Sequence, residues 1–198
     1  MPEVVVPSVY FEKPGPQNTA RTLALAKQRA DELGIRTVVV ATTRGDTGVA
    51  AARLFRGYDL VVVTHSTGFG GPNTQELVAG NRATIEAEGA RILTCQHALG
   101  GVNRAVRRKL GPVQLDEIIA HTLRIFGQGL KVCVEITLMA ADAGLIHAGE
   151  PCIAIGGTGR GADTAVVLIP VNAQDFFDLR IAEVLAKPRL MELEGQRD

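Results

Sequence analysis

Residues 42–48, TTRGDTG, combine hydroxyl groups and glycines at the end of a run of β-branched apolar residues. The run indicates a buried strand and the small residues from Val49 onward indicate a helix, so the segment is the turn between them. The first turn of a helix has N–H groups without intrahelical acceptors, and the helix dipole favours negative charge there. The pattern predicts a phosphate-binding turn with the contact residues Thr42, Thr43, Gly45, Asp46, Thr47 and Gly48.

The residue types of this turn suit an anion, with one exception. Thr43 and Thr47 add hydroxyl donors, and glycine lets a phosphate approach the backbone closely. Asp46 would repel a phosphate, so we expect it to cap the helix or to accept a hydrogen bond from a ligand hydroxyl. The segment has neither the Gly-Lys-Ser/Thr of a Walker A loop nor a G-x-G-x-x-G pattern. An ordinary strand–helix turn capped by threonine or aspartate is the alternative.

The elements around this turn predict a single α/β domain over residues 1–198. Five apolar runs predict strands at residues 37–41, 60–63, 91–95, 152–155 and 164–169, and helical patterns separate the first four. About eight glycine-rich residues join the last two strands, which is too short for a helical crossover, so we expect them to be antiparallel. Residues 8–11 indicate a small edge strand, and residues 181–186 suit either helix or strand.

Helical patterns with clear start signals occur at two further places. Asn73 or Thr74 is predicted to cap a helix that carries Leu77 and Ile85 on one face. The spacing of Leu115, Ile118, Ile119, Thr122 and Phe126 predicts an amphipathic helix. Ligands of such sheets bind at the carboxyl ends of the strands, where the strand order reverses. The glycine-rich segments 42–48, 64–71 and 156–163 are the candidates for that position.

Composition excludes several classes of function. The chain has 21 basic and 21 acidic residues, so no charge excess indicates a nucleic-acid partner. Aromatic residues are 4% of the chain, which disfavours stacking on single strands, and no apolar stretch is long enough to cross a membrane. A homo-oligomer is compatible with the composition.

The three cysteines and four histidines show no metal-ligand spacing. Cys95, Cys133 and Cys152 lie in apolar runs, so we predict buried, reduced thiols and a cytoplasmic location. The N-terminus lacks the charged and apolar regions of a signal peptide. His97, His121 and His147 are scattered, and we interpret them as structural. We predict no metal site.

Five motifs together resemble one known family. They are YFEKPGPQNT at residues 10–19, GDT at 45–47, THSTGF at 64–69, KVCVEITLMAAD at 131–142 and GTGRGADTAVV at 157–167. The chain resembles stand-alone archaeal and bacterial proteins with a pyruvate kinase C-terminal-domain-like fold. The likeness extends over nearly the whole chain, from about residue 10 to residue 177, and the combination of motifs is specific, although each motif alone is weak.

The resemblance implies a three-layer α/β/α fold with a mixed five-stranded sheet of order 3-2-1-4-5, in which strand 5 is antiparallel. It implies FMN as the cofactor, since members of the family are associated with bound FMN. The reaction of these family members is unassigned. It does not imply pyruvate kinase activity, because the catalytic barrel of that enzyme is a separate, larger domain.

The resemblance extends the candidate cofactor site to residues 13–19, before the first predicted helix, and to the loop after the predicted strand at residues 60–63. Lys13 could reach a phosphate or the pyrimidine edge of the flavin, or could be an ordinary surface lysine. Asn18 and Thr19 are candidate contacts, with helix capping by Asn18 as the alternative. His65 could donate to a flavin carbonyl or shuttle a proton, or its ring could be satisfied by the backbone. Thr67, Gly68 and Phe69 could form a lid with Phe69 on the flavin ring, or Phe69 could be plain packing.

Two further groups of candidates lie in or beside the fourth and fifth motifs of the resemblance. Glu135 lies in an otherwise apolar helix, so its carboxyl must be paired, hydrogen-bonded or protonated. It could contact the ligand or act as a general acid, or it could pair with an arginine such as Arg160; Asp142, two turns on, shares its helix face. His65 and Glu135 are the catalytic candidates. The second ligand loop contributes Gly156, Gly157, Arg160 and Asp163, where Arg160 either clamps phosphate or pairs with Asp163.

These residues support two functional hypotheses of different classes. The first is an FMN-binding protein, with a flavin-dependent oxidoreductase as its enzymatic form. The second is a non-catalytic sensor that binds a phosphorylated metabolite. A phosphate-ester enzyme is disfavoured, because no metal cluster or nucleophile–base pair is visible in the sequence.

Overall fold

The computed structural model describes residues 3–189 and contains one mixed seven-stranded sheet. The sheet order is β1-β7-β6-β5-β2-β3-β4, with β6 antiparallel to both of its neighbours and all other pairs parallel. The strands are β1 (Val9–Phe11), β2 (Thr37–Ala41), β3 (Asp59–Val63), β4 (Arg91–Leu93), β5 (Cys152–Gly156), β6 (Thr164–Ile169) and β7 (Arg180–Pro188).

Helices cover both faces of the sheet and give three layers. They are α1 (Thr19–Leu33), α2 (Asp46–Leu54), α3 (Ala79–Ala87), α4 (Val102–Leu110), α5 (Leu115–Arg124) and α6 (Gln128–Asp142), with 3-10 segments at Pro16–Asn18 and Ala173–Asp178. One core joins α1, α2 and α3 to the sheet face that carries Val38 and Val40. The other joins α6 to the opposite face, which carries Val39. Successive side chains of β2 therefore point alternately into two different cores, as expected for a strand buried on both faces.

The prediction of a five-stranded sheet was wrong in its number of strands. The five predicted strands do lie side by side in the predicted order, here β4-β3-β2-β5-β6, and β6 is antiparallel to β5. The sheet continues beyond β6 because β7 pairs with it and β1 then pairs with β7. Residues 181–186, which suited helix or strand, thus lie in a strand, and the predicted edge strand at residues 8–11 is confirmed as β1.

Two helix predictions were also wrong in part. The third helix begins at Ala79 rather than near Asn73, because residues 71–74 form a turn in which Thr74 N donates to Gly71 O at 3.1 Å, and Val78 is still extended just before the helix. The amphipathic helix α5 forms, but it buries Asp116 and Ala120 and leaves Leu115 and Ile118 more than half exposed. Helix α5 contacts α6, and the larger apolar residues Leu115 and Ile118 lie on its exposed side.

Within residues 3–189, no helix combines the length and apolar character that a membrane crossing requires.

The model predicts that a side chain at Gly48 disturbs the packing of α2 on the sheet. A Cβ there would lie 2.8 Å from Ile85 Cδ1 and 2.9 Å from Val62 Cγ1. We expect Gly48→Ala to lower the free energy of unfolding by about 1–3 kcal/mol in urea denaturation, the usual cost of overpacking. Gly80→Ala is the matched control, because Gly80 also lies in the first turn of a helix but has no atom within 4 Å of such a Cβ. Equal effects of the two substitutions would contradict the packing explanation.

Candidate functional site

A cavity of about 620 Å³ lies at the carboxyl ends of β2, β3 and β5. The turn after β2, the loop after β3 and the loop after β5 all contribute to its wall, and α6 runs along one side. The strand order reverses here, because β3 and β5 lie on opposite sides of β2 and the chain winds away from β2 in both directions. The cavity therefore occupies the place where ligands bind in open α/β sheets.

Three helices begin at the wall of this cavity. Thr19 starts α1, Asp46 starts α2 and Gln128 starts α6, and all three residues line the cavity. Each helix N-terminus carries a partial positive charge and N–H groups that lack intrahelical acceptors. Arg160 adds a full positive charge from the loop between β5 and β6. We name this part of the cavity, formed by Thr19, Asp46, Thr47, Gln128 and Arg160, the anion end.

The turn between β2 and α2 has two backbone donors without acceptors. The buried hydroxyl oxygen of Thr42 accepts hydrogen bonds from the N–H groups of Gly45 and Gly48, at 3.1 and 3.3 Å. Among residues 3–189, no acceptor lies within hydrogen-bond distance of the N–H groups of Asp46 and Thr47. The Asp46 carboxylate accepts from Asn81 Nδ2 at 3.2 Å. Asp46 thus occupies the first helical position and does not cap the helix with its side chain.

The two glycines of this turn pack against protein atoms. A Cβ at Gly45 would meet Asn81 Cβ at 2.4 Å, and one at Gly48 would meet core side chains. Gly45 also has a φ of 105°, which disfavours any other residue. These glycines are therefore required by helix packing and backbone geometry, and neither lines the cavity.

A buried carboxylate fixes the loop between β5 and β6. Asp163 is fully buried and accepts hydrogen bonds from Gly15 N at 3.0 Å, Thr158 N at 3.1 Å and Thr164 Oγ1 at 2.9 Å. The Thr19 hydroxyl accepts from Ala162 N at 3.0 Å and adds a second link. The predicted pairing of Arg160 with Asp163 is wrong, because the oxygens of Asp163 are bonded to these neutral donors and Arg160 forms no ion pair within the described residues.

Glu135 forms a buried ion pair that the sequence analysis did not identify. Its carboxylate accepts from Lys131 Nζ at 2.6 Å and from Leu99 N at 3.2 Å, and both charged side chains are about 95% buried. Burial lowers the pKa of Lys131, and the adjacent carboxylate opposes that shift. The alternative pairing of Glu135 with Arg160 is therefore wrong. Asp142 lies at the other end of α6, where its carboxylate accepts from Asn172 Nδ2 and Ala173 N.

Two histidines and a phenylalanine stack where the loops after β3 and β4 meet. The ring of Phe69 lies 4.2 Å from that of His65 and 4.9 Å from that of His97, measured between centroids, and it is nearly parallel to His97. The guanidinium of Arg104 covers Phe69 at 4.9 Å. His65 and His97 line the cavity, whereas Phe69 does not. Phe69 therefore packs on the histidines, as in the packing alternative.

His97 lies at the cavity wall, although its position in the sequence suggested only a structural role. Its Nε2 accepts from Ser66 N at 3.3 Å, and its Nδ1 lies 3.8 Å from Glu135 Oε2. Burial lowers the pKa of His97, and the attraction of Glu135 opposes the shift only in part. His121 and His147 are exposed and lie away from the cavity.

The model brings about half of the predicted site residues to the cavity wall. Those that line it are Thr19, Thr42, Thr43, Asp46, Thr47, His65, Glu135, Gly157 and Arg160. Those that do not are Lys13, Asn18, Gly45, Gly48, Thr67, Gly68, Phe69, Gly156 and Asp163. Asn18 occupies the position before α1, but its side chain donates to Lys13 O and does not cap the helix.

The sequence analysis missed twelve lining residues: Pro16, Ala41, Arg44, Val63, Thr64, His97, Gln128, Val132, Ile136, Met139, Gly159 and Gly161. Four of these residues could have been grouped from the sequence, because Gln128, Val132, Ile136 and Met139 follow helical spacing along one face of α6.

The described residues contain no cluster of three metal-ligating side chains. Cys133 and Cys152 are buried and unpaired, as predicted, and Cys95 is half-buried. Burial raises the pKa of Cys152 to about 12 and raises that of Cys133 further. Both buried thiols are therefore protonated at neutral pH and poor nucleophiles.

Loss of one partner of the Lys131–Glu135 pair should be costly. We expect Lys131→Met to lower the free energy of unfolding by about 3–5 kcal/mol, because it leaves a buried carboxylate without its cation. The double variant Lys131→Met/Glu135→Gln should recover most of that loss. Lys27→Met is the control, since Lys27 and Asp31 form a pair with the same spacing and distance on the surface. A loss of similar size in Lys27→Met would contradict the role of burial.

The lowered pKa of His97 predicts acid sensitivity. At a pH below about 6.5, the ordinary histidine pKa, His97 of the unfolded chain binds a proton, whereas His97 of the folded protein stays neutral until the pH is lower. Stability due to this group is therefore present above that pH and is lost as the pH falls through the window below it, by up to about 1.4 kcal/mol per pH unit. Chemical denaturation between neutral and acidic pH should show a flatter profile for His97→Gln than for wild type or for the exposed-site control His121→Gln. Parallel profiles would refute the assignment.

One comparison with known proteins concerns the fold and most of this site. The family model described as pyruvate kinase, alpha/beta domain, matches residues 20–168. The matched region extends from α1 to β6 and includes the turn after β2, His65, His97, Glu135 and the loop between β5 and β6. Since the match covers well over half of the sequence, the chain belongs to the pyruvate kinase alpha/beta domain family.

Proposed function

We propose that this domain binds FMN, with the phosphate at the anion end of the cavity. The observation that carries the proposal is the convergence of three helix N-termini, those of α1, α2 and α6, on one cavity. A phosphate there would accept from the free N–H groups of Asp46 and Thr47, and Arg160 would balance its charge. The residues present therefore fit a phosphomonoester.

The remainder of the cavity suits an elongated ligand with an aromatic ring system. Its walls carry five apolar side chains in addition to the polar groups: Ala41, Val63, Val132, Ile136 and Met139. The volume of about 620 Å³ lies within the range of roughly 300–1,000 Å³ that is typical of small-molecule sites. Apolar side chains with polar groups placed among them are the usual environment of a cofactor ring.

The enzymatic form of this proposal is a flavin-dependent oxidoreductase in the cytoplasm. The flavin would supply the redox chemistry, and the protein would bind and orient it and exclude water. Of the two catalytic candidates, Glu135 is already paired with Lys131 and Leu99 N, which leaves His65 as the better proton-transfer group. The proposal includes no pyruvate kinase activity, since a domain match identifies an architecture and not a reaction.

A sensor of a phosphorylated metabolite is the second candidate function. The anion end consists largely of backbone N–H groups and helix dipoles, and these recognise a phosphate whatever it is attached to. A colourless protein that binds a sugar phosphate would support the sensor, whereas flavin absorption and reduction by NAD(P)H would support the oxidoreductase.

The first experiment is an absorption spectrum of the purified protein, repeated after FMN is added and after denaturation and filtration. Flavin bands that follow the small-molecule fraction support non-covalent FMN. A spectrum without flavin bands, in a protein that binds no added FMN, would refute FMN as the ligand. Inorganic phosphate and sugar phosphates would then be titrated against the same anion end.

Replacement of Arg160 should separate the phosphate from the rest of the ligand. We expect Arg160→Gln to weaken FMN binding roughly tenfold or more, the usual effect of a lost charged hydrogen bond. Binding of riboflavin, which lacks the phosphate, should not change. Arg108→Gln, at an exposed site on α4 outside the cavity, is the matched control. Equal weakening of FMN and riboflavin by Arg160→Gln would place the phosphate elsewhere.

A further inference from the structure

His65 belongs to a histidine–carboxylate pair at the cavity wall. Its Nδ1 lies 2.7 Å from Oε2 of Glu76, and the two side chains are 31% and 29% exposed. An ionised carboxylate can only accept hydrogen bonds, so Nδ1 of neutral His65 carries the proton and donates it to Glu76. The other ring nitrogen, Nε2, then has a free lone pair.

The surroundings hold this imidazole in place. The carbonyl of His65 accepts from Gln75 Nε2 at 3.1 Å and from Thr64 Oγ1 at 3.0 Å. These bonds hold the His65 backbone and tie it to Gln75, the residue before Glu76. Phe69 covers the ring at 4.2 Å between centroids. Among residues 3–189, His65 Nε2 takes part in no hydrogen bond, and the His65 side chain forms part of the cavity wall.

The neighbouring polar groups cannot take the same role. His97 uses its Nε2 lone pair to accept from Ser66 N at 3.3 Å. Glu135 is engaged by Lys131 and by Leu99 N. Of the three residues His65, His97 and Glu135, His65 is the one whose acceptor nitrogen takes part in no hydrogen bond within residues 3–189, whereas each oxygen of Glu135 already accepts one.

We propose that His65 Nε2 is the acceptor that selects a hydrogen-bond donor on the ligand, and that Glu76 is the positioning residue that keeps this nitrogen unprotonated. This inference rests on the proposed function, since the anion end fixes the other end of the same ligand. The anion end combines the turn after β2 with the loop after β5, and these lie one and two strand spacings from the loop after β3, or roughly 5 and 10 Å. The ligand class is thus a phosphomonoester that carries an N–H or O–H donor in the part remote from its phosphate, as FMN does in its imide N–H.

The tautomer of His65 can be measured in the protein without any ligand. Long-range ¹H–¹⁵N correlation spectra at about pH 8.5, well above the ordinary histidine pKa of about 6.5, distinguish the two neutral forms. We expect the proton of His65 on Nδ1 in wild type and in Glu76→Gln, whose amide oxygen can still accept. In Glu76→Leu the proton should move to Nε2, the usual form of an isolated imidazole. A wild-type His65 with its proton on Nε2 would overturn the role of Glu76.

Binding of FMN tests the ligand donor. We expect His65→Phe, which keeps a flat ring but has no acceptor, to weaken FMN roughly three- to tenfold, the effect of one neutral hydrogen bond. Glu76→Leu should weaken binding at least as much, because Nε2–H would then oppose the ligand donor, and Glu76→Gln should retain wild-type affinity. His121→Phe, at an exposed site on α5, controls for the substitution itself.

The outcomes separate this inference from the proposed function. Wild-type protein that binds FMN, with unchanged affinity in His65→Phe and Glu76→Leu, refutes the acceptor role but keeps FMN as the ligand. Wild-type protein that binds no FMN refutes the proposed function and the ligand half of this inference, while the spectra still decide whether Glu76 sets the tautomer. Thermal unfolding of each variant shows whether a loss of binding reflects a loss of folded protein.

Discussion

The buried carboxylate of Asp163 is the interaction on which the anion end depends. An isolated buried charge is costly, and no cation pairs with this one within the described residues. Two backbone N–H groups, Gly15 N and Thr158 N, and the Thr164 hydroxyl satisfy it instead. The carboxylate thereby joins the segment before α1 to the loop that carries Arg160. Together with the hydrogen bond from Ala162 N to the Thr19 hydroxyl, that link holds the start of α1 beside this loop at one cavity.

Close packing reinforces this link and explains the glycines of the same loop. A Cβ at Gly161 would lie 2.4 Å from Pro16 Cα, and one at Gly157 would lie 2.3 Å from Gly161 O. A Cβ at Gly129, in the first turn of α6, would similarly lie 2.1 Å from Thr164 Oγ1. Three backbone segments thus approach one another more closely than side chains would allow. Glycine in this loop and at the start of α6 therefore allows close packing, whereas Gly45 and Gly48, the glycines predicted to contact phosphate, pack against α3 and the sheet.

The sequence predicted the framework better than the side-chain contacts. Strand runs such as VVV in β2 are local signals, and the short connection between β5 and β6 determines their antiparallel pairing, so the strands and this pairing could be anticipated from the residues. The order of the central strands was implied only by the resemblance to a known family. The Lys131–Glu135 pair was not predicted but could have been, since residues four apart on a helix are neighbours and a buried carboxylate needs a partner. By contrast, the contact of His97 with the cavity depends on how the loops after β3 and β4 pack together, and no local pattern encodes that.

The two parts of the cavity differ in what they can discriminate. The anion end uses backbone N–H groups and dipoles, which recognise a phosphate with little regard to the group attached to it. The opposite part uses side chains whose lone pairs and protons are assigned by their neighbours: Glu76 for His65, Ser66 N for His97, and Lys131 for Glu135. A ligand that mismatches one of these groups leaves a polar atom unsatisfied inside the cavity, and that cost exceeds the gain from a matched hydrogen bond. For the proposed phosphorylated ligand, selectivity would therefore arise at the histidine side of the site, although most of the attraction for its phosphate would lie at the other.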